Sequence, residues 1–510
     1  MQQIWAGAGP LKIGTREEFA RVAHALREVS FDEETICRAF HLNDMSDVGR
    51  LRIADVDQAG ISYQLQVMVR LFLSLKLVPR SDVEQAFDEI TISSFLSLGL
   101  LAREESGENF YATVMLYPVH GLLIASDRGV SFDGSPLTGM AELVFPAVYE
   151  GTLQFLQLLP ELDGDALDLC AGTGIGAFVL ARRYRRAFSL DVSPRASQFA
   201  RFNQALNAYE NVQVLQGDLY QPVTGQTFDC IVAHPPYVPS LTIETVWRDG
   251  GVTGDLFVRR IIEGLPQYLR EGGCAMMITQ GVDTKAGRFE ERAHQWLGDQ
   301  ADEFDIIFAS DKERSLSEVL QLLFKKGTDP AAAILNEEFE RAGVVNMPYG
   351  ALFIRRVKGS PNRKSWIIRP KLSSESTGAD FQATFALHDR VSLPDFAVDL
   401  VQAKPQLAPH LEITVRHVVH EGSLVPAEYV FGAERPFTKR AQFDPWAIPL
   451  FTRFDGCATV GEIYEAGREE GEMPEAFRLE DFVLLVTRSI EAGFLILNSA
   501  ELGLTLPWSV

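Results

Sequence analysis

The sequence predicts an α/β fold, an open sheet with helices on both faces, over residues 126–358 of a 510-residue chain. Three observations predict it. Seven apolar runs read as strands: "DALDLC" (165–170), "AFSLDV" (187–192), "VQVLQGD" (212–218), "DCIVAH" (229–234), "CAMMITQ" (274–280), "DIIFAS" (305–310) and "ALFIRR" (351–356). Helical patterns such as "SPRASQFARFNQALN" (193–207) and "GDLFVRRIIEGLPQYLR" (254–270) separate the early ones. Glycines then cluster behind the first strand, in "LDLCAGTGIGAF" (167–178). This is the rhythm of repeated strand–helix–strand units, whose ligands sit at the carboxyl ends of the strands.

The flanks read differently. Residues 1–125 form a mostly helical module: "YQLQVMVRLFLSLKLV" (63–78) has apolar residues at helical spacing, and "PRSDVEQAF" (79–87) opens a helix with proline in its first turn. "ITISSFLSLGLLAREE" (90–105) leads into a strand, "NFYATVMLY" (109–117). Helices followed by a hairpin suggest a winged helix, but no basic recognition helix stands out. Extra helical material between Ser310 and Gly350 reads as an insertion before the last strand. Residues 359–440 form a mixed, β-containing region with strands at "WIIRP" and "EITVRHVV", and 441–510 suggest a second winged-helix-like module.

Composition narrows the function classes. The 69 acidic and 47 basic side chains leave a net charge of −22. A phosphate backbone is met with Lys and Arg, so this balance weighs against a nucleic-acid partner. Five scattered cysteines without a CxxC pair argue against disulfides and zinc and fit a reducing cytoplasm. His417 and His420 in "VRHVVH" would point to opposite faces of a strand, so no metal ligand is expected. The N-terminus has no basic-then-apolar secretion signal, and no window reads as a membrane span.

Chemistry concentrates at the strand tips. Asp168 closes the first strand before Gly172, Thr173 and Gly174, where glycine lets backbone N–H groups approach a ligand. Asp191 ends the second strand, placed to accept hydrogen bonds from ribose hydroxyls, and Asp218 ends the third. The fourth ends in "FDCIVAHPPYVPS" (228–240). Prolines stop strand pairing and pin φ, so His234-Pro235-Pro236-Tyr237 is a rigid tip. Arg248 or Asp249 in "WRDGG" (247–251) could touch substrate or simply turn the chain into a helix.

In this order the motifs resemble class I S-adenosylmethionine-dependent methyltransferases, in the branch whose fourth motif is Asn/Asp-Pro-Pro-Tyr. "FARFNQALNAYENVQVLQGDLYQPVTGQTFDCIVAHPPYVPS" (199–240) is similar to the release-factor glutamine N5-methyltransferases and to the "small" rRNA guanine methyltransferases. "VFPAVYEGTLQFLQLLP" (144–160) resembles the segment before the first motif of the glutamine enzymes. The resemblance implies a Rossmann-like, seven-stranded sheet. It implies that Asp168 and the turn at Gly172, Thr173 and Gly174 hold the methionine end of S-adenosylmethionine. Asp191 would take the ribose and Asp218 the adenine, and His234, Pro235 and Tyr237 would hold the acceptor nitrogen.

His234 departs from the family's asparagine. Neutral imidazole can still accept a hydrogen bond, whereas imidazolium cannot. Activity is therefore expected to fall below the ordinary histidine pKa of about 6.5. A partial general-base role toward a more acidic or more nucleophilic acceptor, and a purely structural role for the ring, are the competing readings. The resulting expectation is a cytoplasmic N-methyltransferase for a protein, peptide or small natural-product acceptor. An rRNA or tRNA base methyltransferase and a non-catalytic interaction protein are the alternatives.

Overall fold

A computed structural model describes residues 10–130, 141–324, 330–357 and 364–497. The first nine residues, read above for a secretion signal, lie outside these. The chain divides into two compact units. The first comprises Met1–Ala301, Arg314–Met347 and Arg356–Lys358, and the second the remainder.

The first unit holds the parallel sheet. Its elements run α1 (Glu150–Gln157), β1 (Asp165–Leu169), α2 (Ile175–Leu180), β2 (Arg186–Asp191), α3 (Pro194–Leu206), β3 (Val212–Gln216), β4 (Phe228–Ala233), α4 (Leu256–Tyr268) and β5 (Leu269–Gln280). The strands lie side by side in the order β5-β4-β1-β2-β3 and are all parallel. Leu167 of β1 faces Phe188 of β2 on one side and Ile231 of β4 on the other. Every residue of β1 is buried, as a strand covered on both faces requires. Phe178 of α2, Phe199 and Phe202 of α3 and Ile261 of α4 are fully enclosed. The chain steps outward from β1 to β2 and β3, then returns to β4 on the opposite side of β1. Such a reversal opens a crevice at the strand tips.

All seven predicted strands are strands in the structure, including Phe304–Ser315 and Val344–Arg356. Residues 109–117 differ from expectation. The run breaks at Thr113–Val114, and Met115–Val119 pairs instead with Leu122–Ser126. That hairpin docks on α3 through the fully buried Asn203, whose Oδ1 accepts from Ala125 N (2.8 Å) and whose Nδ2 donates to Ala125 O (3.0 Å). No described helix is long and apolar enough to cross a membrane.

The second unit has its own core around Phe431, Phe451, Phe454, Phe482 and Ile490. It contains helices Gly378–Val391 and Phe396–Gln402, for which the sequence reading had no signal, and the hairpin Glu412–His420 with Ser423–Ala433. Helices Val460–Glu469 and Leu479–Glu491 follow, and the short strand Leu495–Ile496 comes after Gly493.

A buried ion pair fixes the segment that enters the site. Asp127, fully enclosed, accepts from Arg195 Nε of α3 (2.8 Å) and from Val144 N (2.8 Å). Tyr117 Oη accepts from Ala147 N three residues later (2.6 Å). Removing one partner of a buried pair strands the other charge. Asp127→Asn is therefore expected to cost about 3–5 kcal/mol of stability, read by urea denaturation. A loss within experimental error would show that the pair does not anchor this segment.

Candidate active site

A cavity of about 370 Å³ lies at the carboxyl ends of β1, β2 and β4, where the strand order reverses. Of the residues singled out from sequence, Asp168, Gly172, Thr173, Asp191, Asp218, His234, Pro235 and Tyr237 line it. Gly174 stands one step behind, its N–H closing the turn on Ala171 O (2.8 Å).

Asp168 is 2% exposed, and its Oδ2 accepts from Ala177 N (2.9 Å). Burial lifts its carboxyl to about 8, with the Ala177 N–H opposing and the nearby Asp191 carboxylate adding to the rise. Gly172 adopts a left-handed φ of +54°, and a Cβ there would project into open space. Its N–H donates to Asp191 Oδ2 (2.9 Å), while Oδ1 accepts from Ser193 N (2.9 Å). Enclosure raises the Asp191 carboxyl as well, against the pull of these N–H groups. Thr173 is buried, its carbonyl held by Asn203 Nδ2 (3.0 Å). Asp218 is half-exposed and ion-paired with Arg260 Nη2 of α4 (2.7 Å).

The opposite wall is aromatic. The His234 ring lies between Phe155 of α1 (centroids 5.7 Å apart, planes at 26°) and Tyr237 (6.0 Å, 13°). The ring lines the cavity, is only partly exposed and is desolvated by the protein around it. This desolvation takes its pKa down to about 4. A ring so shifted stays neutral and able to accept a hydrogen bond below the pH of about 6.5 expected from sequence.

The loop after Tyr237 is stapled to the tip. Val238 N donates to Arg248 O (2.9 Å) and Gly250 N to Val238 O (2.8 Å). Gly250 packs so closely that a Cβ would meet Tyr237 Cα at 2.8 Å. Asp249 is buried and commits its carboxylate to Thr245 N (2.8 Å), Glu244 N (3.1 Å) and Arg248 Nη1 (3.0 Å). It shapes the loop, while Arg248 lines the cavity. Sequence reasoning missed Phe155, Phe145, Tyr149 and Trp247 as cavity residues. Their only signal was the aromatic content of 144–160 and 247–251.

Known proteins are similar in sequence to this part of the chain. Residues 146–286 match the methyltransferase small domain. A candidate protein N5-glutamine methyltransferase of Methanocaldococcus jannaschii is 31% identical over 157 residues, which cover 29% of this chain and 79% of that protein. The chain belongs to the S-adenosylmethionine-dependent methyltransferase family. The release factor glutamine methyltransferase of Thermodesulfovibrio yellowstonii is 33% identical over 146 residues (26% of this chain, 52% of that protein). The ribosomal protein uL3 glutamine methyltransferase of Bradyrhizobium diazoefficiens is 31% identical over 156 residues (28% and 49%). This methyltransferase thus spans about half the length of several curated relatives it matches.

The depressed His234 pKa has a direct readout. The group binds no proton between about 6.5 and 4 in the folded state but does so when unfolded. Its contribution to stability is therefore full above the ordinary histidine pKa and is lost as pH falls through the folded value. Selective ¹⁵N-histidine NMR should give His234 a midpoint near 4, and Phe155→Ala should move it upward by admitting water. A midpoint near the ordinary 6.5 would contradict the enclosed geometry.

Proposed function

We propose that this chain is an S-adenosylmethionine-dependent N-methyltransferase whose acceptor is a protein, peptide or small natural product. The observation that carries the reading is the pairing, across one cavity, of a carboxylate-and-glycine cradle with a rigid tip that presents neutral His234.

The residues present suit the cofactor. Asp168 is a buried carboxyl with one hydrogen bond, and a neighbouring ammonium would offset the burial that lifts its pKa. Gly172 leaves open the space a side chain would fill. Each Asp191 oxygen accepts one N–H and keeps a second lone pair for a hydroxyl. Asp218, shared with Arg260, is the remaining acceptor for the adenine amino group. Bound there, S-adenosylmethionine supplies an electrophilic methyl group.

The chain's own part is positioning. In-line displacement is accelerated by holding the nucleophile in an attack geometry. Tyr237 stacks on the acceptor plane, and Pro235, locked in φ, fixes a carbonyl that accepts one N–H. His234 accepts the other and turns the nitrogen lone pair toward the methyl group. A pKa of about 4 makes it a poor general base at neutral pH, so the acceptor's proton leaves to water after transfer. The curated relatives named above methylate glutamine in proteins by their names, and the acidic balance of this chain supports a protein or peptide over a polyanion.

Methyl transfer from labelled S-adenosylmethionine into a cytoplasmic extract tests the reading. Label removed by protease, or passing a small-molecule filter, is the expected result. Label released by nuclease would overturn the choice of acceptor, and absence of cofactor binding would overturn the whole assignment.

A further inference from the structure

Three aromatic rings at the cavity wall have no role in the chemistry above. Tyr149 stacks on Phe145 (4.3 Å between centroids, planes at 27°), and Phe145 stacks on Trp247 (5.0 Å, 19°). They form one near-parallel column, with 47%, 38% and 38% of their surfaces exposed. All three line the same cavity as His234 and Tyr237. Rings that only filled a core would be covered, whereas this column keeps part of its apolar surface open in the cavity that holds the acceptor tip.

The column is also held in place from two separate segments. On one side, Val144 N is bound by Asp127 and Ala147 N by Tyr117 Oη. On the other, Trp247 sits between Val246, whose N–H donates to Ala141 O (3.0 Å), and the Asp249 staple. Rigid aromatics of this kind bind with little loss of side-chain freedom.

Spacing and charge then select a ligand. Tyr149 caps α1, and Phe155 of the same helix stacks on His234, six residues further on. Tyr149 and Phe155 are thus about 9 Å apart along the helix, so the column and the acceptor-holding ring open on one cavity at separate points. Apart from the acids assigned to the cofactor, the charged residues lining the cavity are Glu142 and Arg248, and Arg248 is paired with Asp249. Stacking sites for nucleic acid combine rings with a basic groove, and this one lacks the second part.

Resting on the N-methyltransferase reading, we infer that Tyr149, Phe145 and Trp247 form a subsite for an aromatic side chain of a non-acidic peptide acceptor. The column thus serves as a specificity element, separate from the groups that hold the reacting nitrogen.

The test uses the full chain with S-adenosylmethionine and three probes: the capped peptides Ac-Gly-Phe-Gly-NH₂ and Ac-Gly-Leu-Gly-NH₂, and the trinucleotide ApApA. Binding is followed by saturation-transfer NMR and competition. The phenylalanine peptide should bind about fivefold tighter than the leucine peptide, the worth of one stacked aromatic pair. Trp247→Ala and Phe145→Ala should each erase that preference. Equal affinity for the two peptides, a preference that survives both variants, or displacement by ApApA would overturn the subsite. Calorimetry of the wild-type chain with S-adenosylmethionine separates the two levels. Cofactor binding without aromatic preference removes the subsite alone, and failure to bind cofactor removes the function on which it rests.

Discussion

The carboxylate of Asp191 is the constraint on which the site depends. It accepts N–H groups from Gly172 and Ser193, and so ties the turn leaving β1 to the turn leaving β2. Neither turn has an alternative at hand: Gly172 is in a left-handed conformation, and Ser193 caps α3 with its hydroxyl on Ala196 N (3.2 Å). Holding the first turn keeps the cradle beside Asp168 open. The same helix α3 carries Arg195 to Asp127, and through it the segment bearing Phe145 and Tyr149. One hydrogen-bonded carboxylate thus sits at the junction of both halves of the cavity.

The second determinant is exclusion of water. Two aromatic rings stack on His234, and with its pKa lowered to about 4 by desolvation the imidazole is neutral near pH 7. Under the proposed function this suits hydrogen-bond acceptance better than proton removal, since a base so weak gains little driving force near pH 7. The histidine therefore retains the geometric duty that an amide oxygen could perform, while its flat ring adds stacking surface that an asparagine lacks. The cost of enclosing it falls on the acid side of the stability profile.

Much of this was legible in the sequence. The seven strands follow from apolar runs bounded by turn residues, and the tip acids Asp168, Asp191 and Asp218 stand out because a carboxylate at the end of a buried run needs a reason. The proline pair marked the rigid tip. Other features depend on contacts that no local pattern encodes. Phe145 and Trp247 are about a hundred residues apart in the chain yet stacked, and the ring stacked on His234, Phe155, comes from a helix before the first strand. Asp249 and Arg248 are neighbours with opposite fates, one buried and one at the cavity, which burial alone decides. The break at Thr113–Val114 was invisible because an apolar run looks the same whether it is one strand or two.

The most direct test is calorimetric binding of S-adenosylmethionine to Asp191→Ala. Losing a charged acceptor that holds both turns should weaken affinity about 10- to 100-fold, the equivalent of one or two charge-assisted hydrogen bonds, with the fold intact by circular dichroism. Affinity equal to that of the wild-type chain would show that the cradle forms without the Asp191 carboxylate and would contradict the account at its base.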